Sequence, residues 1–395
     1  MSNIQRLPQS GGEERSTRYS LYLMYLMIYG ATACFYPFLP HYLQSRGLNY
    51  VEIGFCFSLT SIVSIVSQPL WGYVADRWQG KRRTLFFLMV MCGLSILPFI
   101  FADRFVGIAL SIILLIFFQG ALYPLADSHL YALGDRYPSI QYGKVRLFGS
   151  AGFAFTAFGL GFLLKFFSTD WLFILYFGFM AATFLAFYRA KLTGACHDTT
   201  PHFHDVKRIL SNPKFSIFIL SVCIVSIAST SSGNYIAILV EKTGGNTAGL
   251  GVLWFLVALS ELPLFYHGTR ILERFGEDRI YLGALVLYAI RFFASSLCVN
   301  FIPVVLIQLL QAFTFPMLML ATTSKVNHLL PDNLKATGMT LLTALGFGLG
   351  GLIGNLGGGY VIKLFSVFFL FKLYGIICLA ALAVFFLIRN NEIIL

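Results

Sequence analysis

From Tyr19 onward the chain is a succession of long apolar runs separated by short charged or turn-rich breaks. The runs fall near 19–45, 51–75, 84–102, 106–134, 141–166 and 169–190. A polar stretch from Lys191 to Lys214 follows, and the pattern resumes near 215–241, 247–272, 280–299, 302–330, 333–364 and 366–388. A helix crossing the hydrocarbon of a bilayer takes about 20 apolar residues, and longer runs tilt or protrude. The pattern therefore predicts an all-α integral membrane protein of twelve transmembrane helices. It divides into a six-helix bundle over 1–190, a central loop over 191–214 and a second six-helix bundle over 215–395.

Composition agrees with that expectation and removes its competitors. Of 395 residues 57% are apolar and only 11% charged, against roughly 25% charged in soluble domains. Soluble enzyme, disordered protein, disulfide-rich secreted domain and nucleic-acid binder are all set aside. The net charge of +11 reads as topology, because cytoplasmic loops collect Lys and Arg. With the connections numbered alternately, the termini and the even-numbered links hold twenty of the 28 Lys and Arg, and the opposite side holds six. Both termini are thus predicted in the cytoplasm of a cell (inner) membrane protein. The cysteines have no regular spacing, so no disulfide framework is expected. The first eighteen residues are polar and the run after them is long enough to span, so no cleavable signal is expected.

One motif occurs twice. After the second run comes Gly72-Tyr-Val-Ala-Asp76-Arg77-Trp-Gln-Gly80-Lys81-Arg82-Arg83, and after the eighth the looser Gly268-Thr-Arg-Ile-Leu-Glu273-Arg274-Phe-Gly276. The leading glycine is expected to let two helices approach, and the acid to meet a helix N-terminus or an Arg across the bundle. A six-plus-six repeat carrying this motif resembles the major facilitator superfamily over essentially the whole chain. Gly72, Asp76, Arg77, Gly80 and Arg82 are its gating residues on that resemblance.

Three stretches are similar to the lactose-permease branch and its phenylpropionate-permease-like and nucleoside-symporter relatives. They are Tyr36-Pro37-Phe-Leu-Pro40 through Gln68-Pro69-Leu70-Trp71-Gly72, then Tyr142-Gly143-Lys-Val-Arg146-Leu-Phe148-Gly149, and Ile290-Arg291-Phe-Phe-Ala-Ser295-Ser296. The resemblance implies that Arg146 and Asp127 bind substrate hydroxyls and that Phe153 takes the place of a ring-stacking aromatic. Glu261 lies about one turn out of register with the branch's eighth-helix acid. The main departure is in the tenth run, where Gln311-Ala-Phe-Thr314 stands in place of the lactose permease's proton-coupling His-x-x-Glu. Neither Gln nor Thr titrates near neutral pH.

Only Asp127, Glu261, Arg146 and Arg291 are charged and deep within the runs. A charge inside the bilayer costs about 3 kcal/mol or more, so such residues mark either a polar lock between helices or a solute pathway. Their depths permit two pairs, Asp127 with Arg146 and Glu261 with Arg291. An arginine fork and a carboxylate can hold a hydroxylated ring from opposite sides. Burial and a nearby guanidinium act on a carboxylate's proton affinity in opposite directions, so an embedded acid can also carry a proton. Glu261 with Arg291 is the proton-coupling candidate. Tyr29, Asn234, Tyr235 and Gln311 are further candidate substrate ligands, with Gln119 and Asn355 as helix-to-helix hydrogen bonders; Trp254 and most Phe are read as lipid-facing or packing residues.

Two motifs are declined. Gly346-Phe-Gly348-Leu-Gly-Gly351 matches a dinucleotide fingerprint but has no strand before it, and its glycines suit close helix packing and a gating bend. Cys196, His197, His202 and His204 fit no standard metal spacing. No cofactor, metal or nucleic-acid partner is expected, and no nucleotide-binding loop points to ATP. The sequence is read as a monomeric, lipid-embedded secondary transporter, not an enzyme. It would move a small organic solute by alternating access, as a proton symporter of a sugar- or nucleoside-like substrate, with an aromatic-acid permease or a drug or metabolite exporter as alternatives.

Overall fold

The computed structural model describes residues 11–137, 139–190, 203–331 and 334–391. Among them twelve helices are long and apolar enough to cross a membrane. Spans 1 to 6 are Glu14–Ser45, Tyr50–Arg77, Lys81–Phe101, Phe105–Gly134, Tyr142–Leu163 and Trp171–Arg189. Spans 7 to 12 are Pro213–Lys242, Thr247–Leu264, Glu277–Ser296, Phe301–Leu329, Thr337–Leu364 and Val367–Phe386. The fold is all-α, with the twelve-helix, two-bundle architecture of the major facilitator superfamily. An even number of crossings brings both described ends of the chain to one side, here called the terminal side.

The apolar runs are interrupted where the backbone loses a donor or a Cβ. Span 1 turns after Phe35 and resumes at Leu39, across Pro37, which has no N–H and whose ring crowds the preceding turn. Span 3 breaks before Pro98. Span 10 tightens to a 3₁₀ turn over Leu309–Phe313 before Pro316. Span 11 widens to a π-helix over Leu342–Gly348. Such mid-helix departures concentrate at hinges and functional sites. Of the declined motif's glycines, Gly350 packs against span 7, where a Cβ would meet the Cys223 carbonyl at 2.5 Å.

The internal repeat is visible in the backbone. Gly80 and Gly276 close the two motif copies with nearly the same left-handed dihedrals, φ 76°, ψ 146° and φ 75°, ψ 155°. That is a conformation glycine adopts without steric cost. Each then caps the next span.

The halves meet chiefly where span 5 lies against span 8 and span 2 against span 11. The contacts tighten at the ends remote from the terminal side. A Cβ on Gly54 would stand 2.6 Å from the Asn355 carbonyl, and one on Gly359 would stand 3.2 Å from the Gly54 Cα. A Cβ on Gly161 would stand 2.8 Å from the Gly251 Cα, and one on Gly251 would stand 2.6 Å from the Ala157 carbonyl. Small residues permit this backbone-to-backbone approach. Gly72 departs from expectation: a Cβ there would meet nothing within 4 Å. In this state the close approach is at the far side, so the motif glycine on the terminal side faces open space.

The central loop contains a short helix, Phe203–Leu210, with Ile209 buried. Cys196, His197 and His202 lie outside the described residues, as does the side chain of His204.

Candidate functional site

A cavity of about 410 Å³ lies between the halves, within the size range of small-molecule sites. Its wall is built from helical stripes. Span 5 contributes Arg146, Ser150 and Phe153, and span 8 contributes Trp254, Val257, Ala258 and Glu261. Positions three, four and seven apart share one helix face, so each set projects to one side. Tyr29 and Thr32 of span 1, Ser229, Thr230 and Ser232 of span 7, Tyr288 and Arg291 of span 9, and Gln308 and Gln311 of span 10 complete the polar lining.

On the C-terminal side a hydrogen-bonded chain joins the embedded charges. Arg291 Nη1 donates to Gln311 Oε1 at 3.2 Å and to Thr314 Oγ1 at 2.9 Å. Gln311 Nε2 in turn donates to Glu261 Oε1 at 3.0 Å. Glu261 and Arg291 are therefore brought together through the Gln311 amide, without a direct ion pair among the described residues. The 3₁₀ turn sets this geometry, because it carries Gln311 and delivers Thr314 to the same guanidinium. The Arg291 guanidinium also lies 5.0 Å from the Tyr288 and Phe292 ring centres.

On the N-terminal side the expected pair is separated. The Tyr25 hydroxyl donates to Asp127 Oδ1 at 2.7 Å, and Asp127 is off the cavity wall. Arg146 instead lies over the Tyr29 ring, 4.0 Å from its centre, a cation–π contact worth up to about 2 kcal/mol when desolvated. Among the described residues no ion pair joins Arg146 to Asp127. Tyr29 sits beside Tyr123, whose hydroxyl pairs with Thr32 Oγ1 at 2.5 Å.

The other candidates divide. Phe153 lines the cavity, its ring edge-on to Trp254 at 6.0 Å. Asn234 and Tyr235 do not line it. Asn234 Nδ2 donates to Asn355 Oδ1 at 2.9 Å, and the Tyr235 hydroxyl to the Asn355 carbonyl at 2.5 Å. Asn355 Nδ2 reaches the Phe57 carbonyl of span 2 at 3.3 Å, so this cluster ties the halves together beside Gly54. Of the gating motif, Asp76 and Arg77 lie in the π-helical turn Ala75–Gln79. Arg77 leans over Tyr73 and Arg82 over Phe86 and Phe187.

Trp254 is the residue the sequence reading misplaced. It is on the cavity wall, and its buried Nε1 has no acceptor among the described residues, as is also true of Arg291 Nε. Its signal was available: it stands seven residues before Glu261 on the same stripe. Tyr288 and Gln308 were not singled out either.

The MFS_1 like family matches residues 18–373. The chain belongs to that family, and so to the major facilitator superfamily of membrane transporters. It is 26% identical over 398 aligned residues to the maltose permease of Geobacillus stearothermophilus, covering 97% of this chain and 96% of that one. It is also 26% identical over 366 residues to the uncharacterized transporter YwbF of Bacillus subtilis, covering 90% and 89%. In fold it is similar to the crystal structure of the nucleoside transporter NupG, at a TM-score of 0.83 and 14% identity, covering 93% of this chain and 100% of that one. The protein is a transporter of small solutes, similar in sequence to a maltose permease and in fold to a nucleoside transporter.

Proposed function

We propose that the protein is a proton-coupled symporter of a sugar- or nucleoside-like, polyhydroxylated solute, acting as a monomer in the cell membrane with both termini in the cytoplasm. The observation that carries this reading is a cavity shared by both halves whose wall combines Arg146 and Tyr29 of one half with Trp254, Glu261, Gln311 and Arg291 of the other. Guanidinium forks, an amide and a carboxylate among aromatic rings suit a solute rich in hydroxyls, each hydrogen bond to a charged group contributing about 1.5–3 kcal/mol. Arg146, Tyr29 and Phe153 would hold it from the N-terminal half, and Trp254, Gln311 and Arg291 from the other. The halves are pinned together away from the terminal side, so on this orientation the state is inward-facing. Its reversal by rocking would expose the same site outward.

Permease kinship over nearly the whole chain supports a sugar-like solute. One observation favours an aromatic acid instead: with Asp127 off the wall, two guanidiniums face one carboxylate, a balance suited to a monoanion. Counterflow in proteoliposomes loaded in turn with sugars, nucleosides and aromatic acids decides between them. Saturable exchange of a neutral polyol is the expected result. Exchange of carboxylates alone would transfer the assignment to the aromatic-acid reading, and efflux-only transport would make it an exporter.

A further inference from the structure

A second hollow, of about 240 Å³, lies on the C-terminal half between spans 9 and 10 and the end of the helix Thr247–Phe275 that continues span 8. Apart from Arg279 its lining is apolar, including Ile271, Phe275, Leu287, Phe313 and Met317. Phe313 and Met317 are not in the central cavity's wall, which takes Gln311 and Phe315 from the same segment. Phe275 and Phe313 are 49% exposed. Along span 9 the lining runs from Arg279 to Leu287, eight residues or about 12 Å. That is close to the depth of one leaflet of a hydrocarbon core about 30 Å thick.

The polar end is cationic. Arg279 lines the mouth, and Arg274 lies 5.5 Å from the ring centre of Phe275, itself part of the wall. The acids preceding Arg279 are engaged elsewhere. Asp278 pairs with Lys325 at 2.7 Å, while Glu277 meets His328 at 2.8 Å and Ser324 at 3.1 Å. Among the described residues no ion pair engages Arg274 or Arg279. Midway along the groove is Gly283, where a Cβ would meet nothing within 4 Å. Glycine inside a helix costs about 1 kcal/mol relative to alanine. Here it makes no close helix contact, and what it leaves clear is the groove.

We propose that this groove binds an anionic phospholipid, with an acyl chain along Gly283 and the phosphate at Arg279 and Arg274. Basic pockets between spans at the membrane surface take anionic headgroups in this way. The chain would end against Phe313, in the same 3₁₀ turn that carries Gln311. The inference needs only the membrane-spanning fold and stands or falls separately from the substrate.

The test is native mass spectrometry of the full chain in mild detergent, titrated with dioleoyl phosphatidylglycerol, dioleoyl phosphatidylcholine or free glycerol phosphate. Wild type is expected to take one phosphatidylglycerol at least fivefold more tightly than phosphatidylcholine, and not to bind glycerol phosphate measurably. Arg279→Gln should bring phosphatidylglycerol to the level of phosphatidylcholine. Gly283→Leu, which grows into open space, should weaken both lipids at least fivefold while leaving the lipid-free Tm within a few degrees. Equal binding of the two lipids by wild type, or adducts unchanged in both variants, would overturn the proposal. Binding of glycerol phosphate as tight as that of the lipid would do the same.

Discussion

Two wall residues offer opposite kinds of test. Trp254 Nε1 is a buried donor on a cavity-wall residue and has no acceptor among the described residues. Trp254→Phe removes that donor and keeps an aromatic surface. If a solute hydroxyl supplies the acceptor, affinity should fall about fivefold, the worth of a neutral hydrogen bond near 1 kcal/mol. The Tm of the solute-free protein should hold or rise, because an unsatisfied group is gone. Calorimetric titration beside a thermal melt checks both halves, and a fall in both would make Trp254 a packing residue. Arg146 is tested by its shape. Arg146→Lys keeps the charge but loses the planar fork that lies over the Tyr29 ring, and should weaken binding by roughly 1.5–3 kcal/mol. Unchanged affinity in the folded variant would leave Arg146 a structural lock.

At the scale of the helices, the glycines make the two states separately addressable. Gly251→Val would thrust a side chain against the Ala157 carbonyl and the Gly161 Cα, so the halves could not close away from the terminal side. A Cβ at Gly72 meets nothing here, yet Gly72→Leu would obstruct any approach of helices on the terminal side once the bundles rock. The two variants should therefore trap opposite states. Spin-label distances across each side are expected to shift in opposite directions, with solute exchange lost in both; shifts of the same sign would mean the glycines do not form opposed gates.

This is also the scale at which the sequence was most and least legible. Twelve apolar runs marked the spans because hydrocarbon admits little else, and Gly72 to Gly80 with Gly268 to Gly276 marked the repeat. The breaks at Pro37, Pro98 and Pro316 were not legible, since proline inside a run also occurs in continuous helices, as Pro69 and Pro124 do here. Arg146, Glu261 and Arg291 stood out because charge is costly in a bilayer. Trp254 did not, because an aromatic ring suits lipid, core and cavity alike. Asn234 and Tyr235 looked like ligands, but which face of span 7 turns to the cavity is decided by Asn355 and span 2 packing against them.

At the scale of the whole molecule the question is how a proton gradient would reach the solute. Gln311 and Thr314 cannot take up a proton, yet they hold Arg291, and Gln311 alone spans the distance to Glu261. In this state the guanidinium reaches the carboxylate only through an amide. Rocking of the bundles would change that separation, and a closer guanidinium favours the ionised carboxylate while a withdrawn one favours the protonated acid. Glu261 is the embedded acid on the cavity wall, whereas Asp127 is held by Tyr25 outside it. Glu261→Gln, which fixes a neutral group of the same shape, should then abolish uphill accumulation driven by a pH gradient and retain downhill exchange of preloaded solute. Both assays belong on the same proteoliposomes with wild type beside them. Accumulation that survives the substitution would place the proton on Asp127 or remove proton coupling altogether. Exchange lost together with accumulation would make Glu261 a binding or folding residue, and an Asp127→Asn protein put through the same two assays would then show whether the second embedded acid carries the proton.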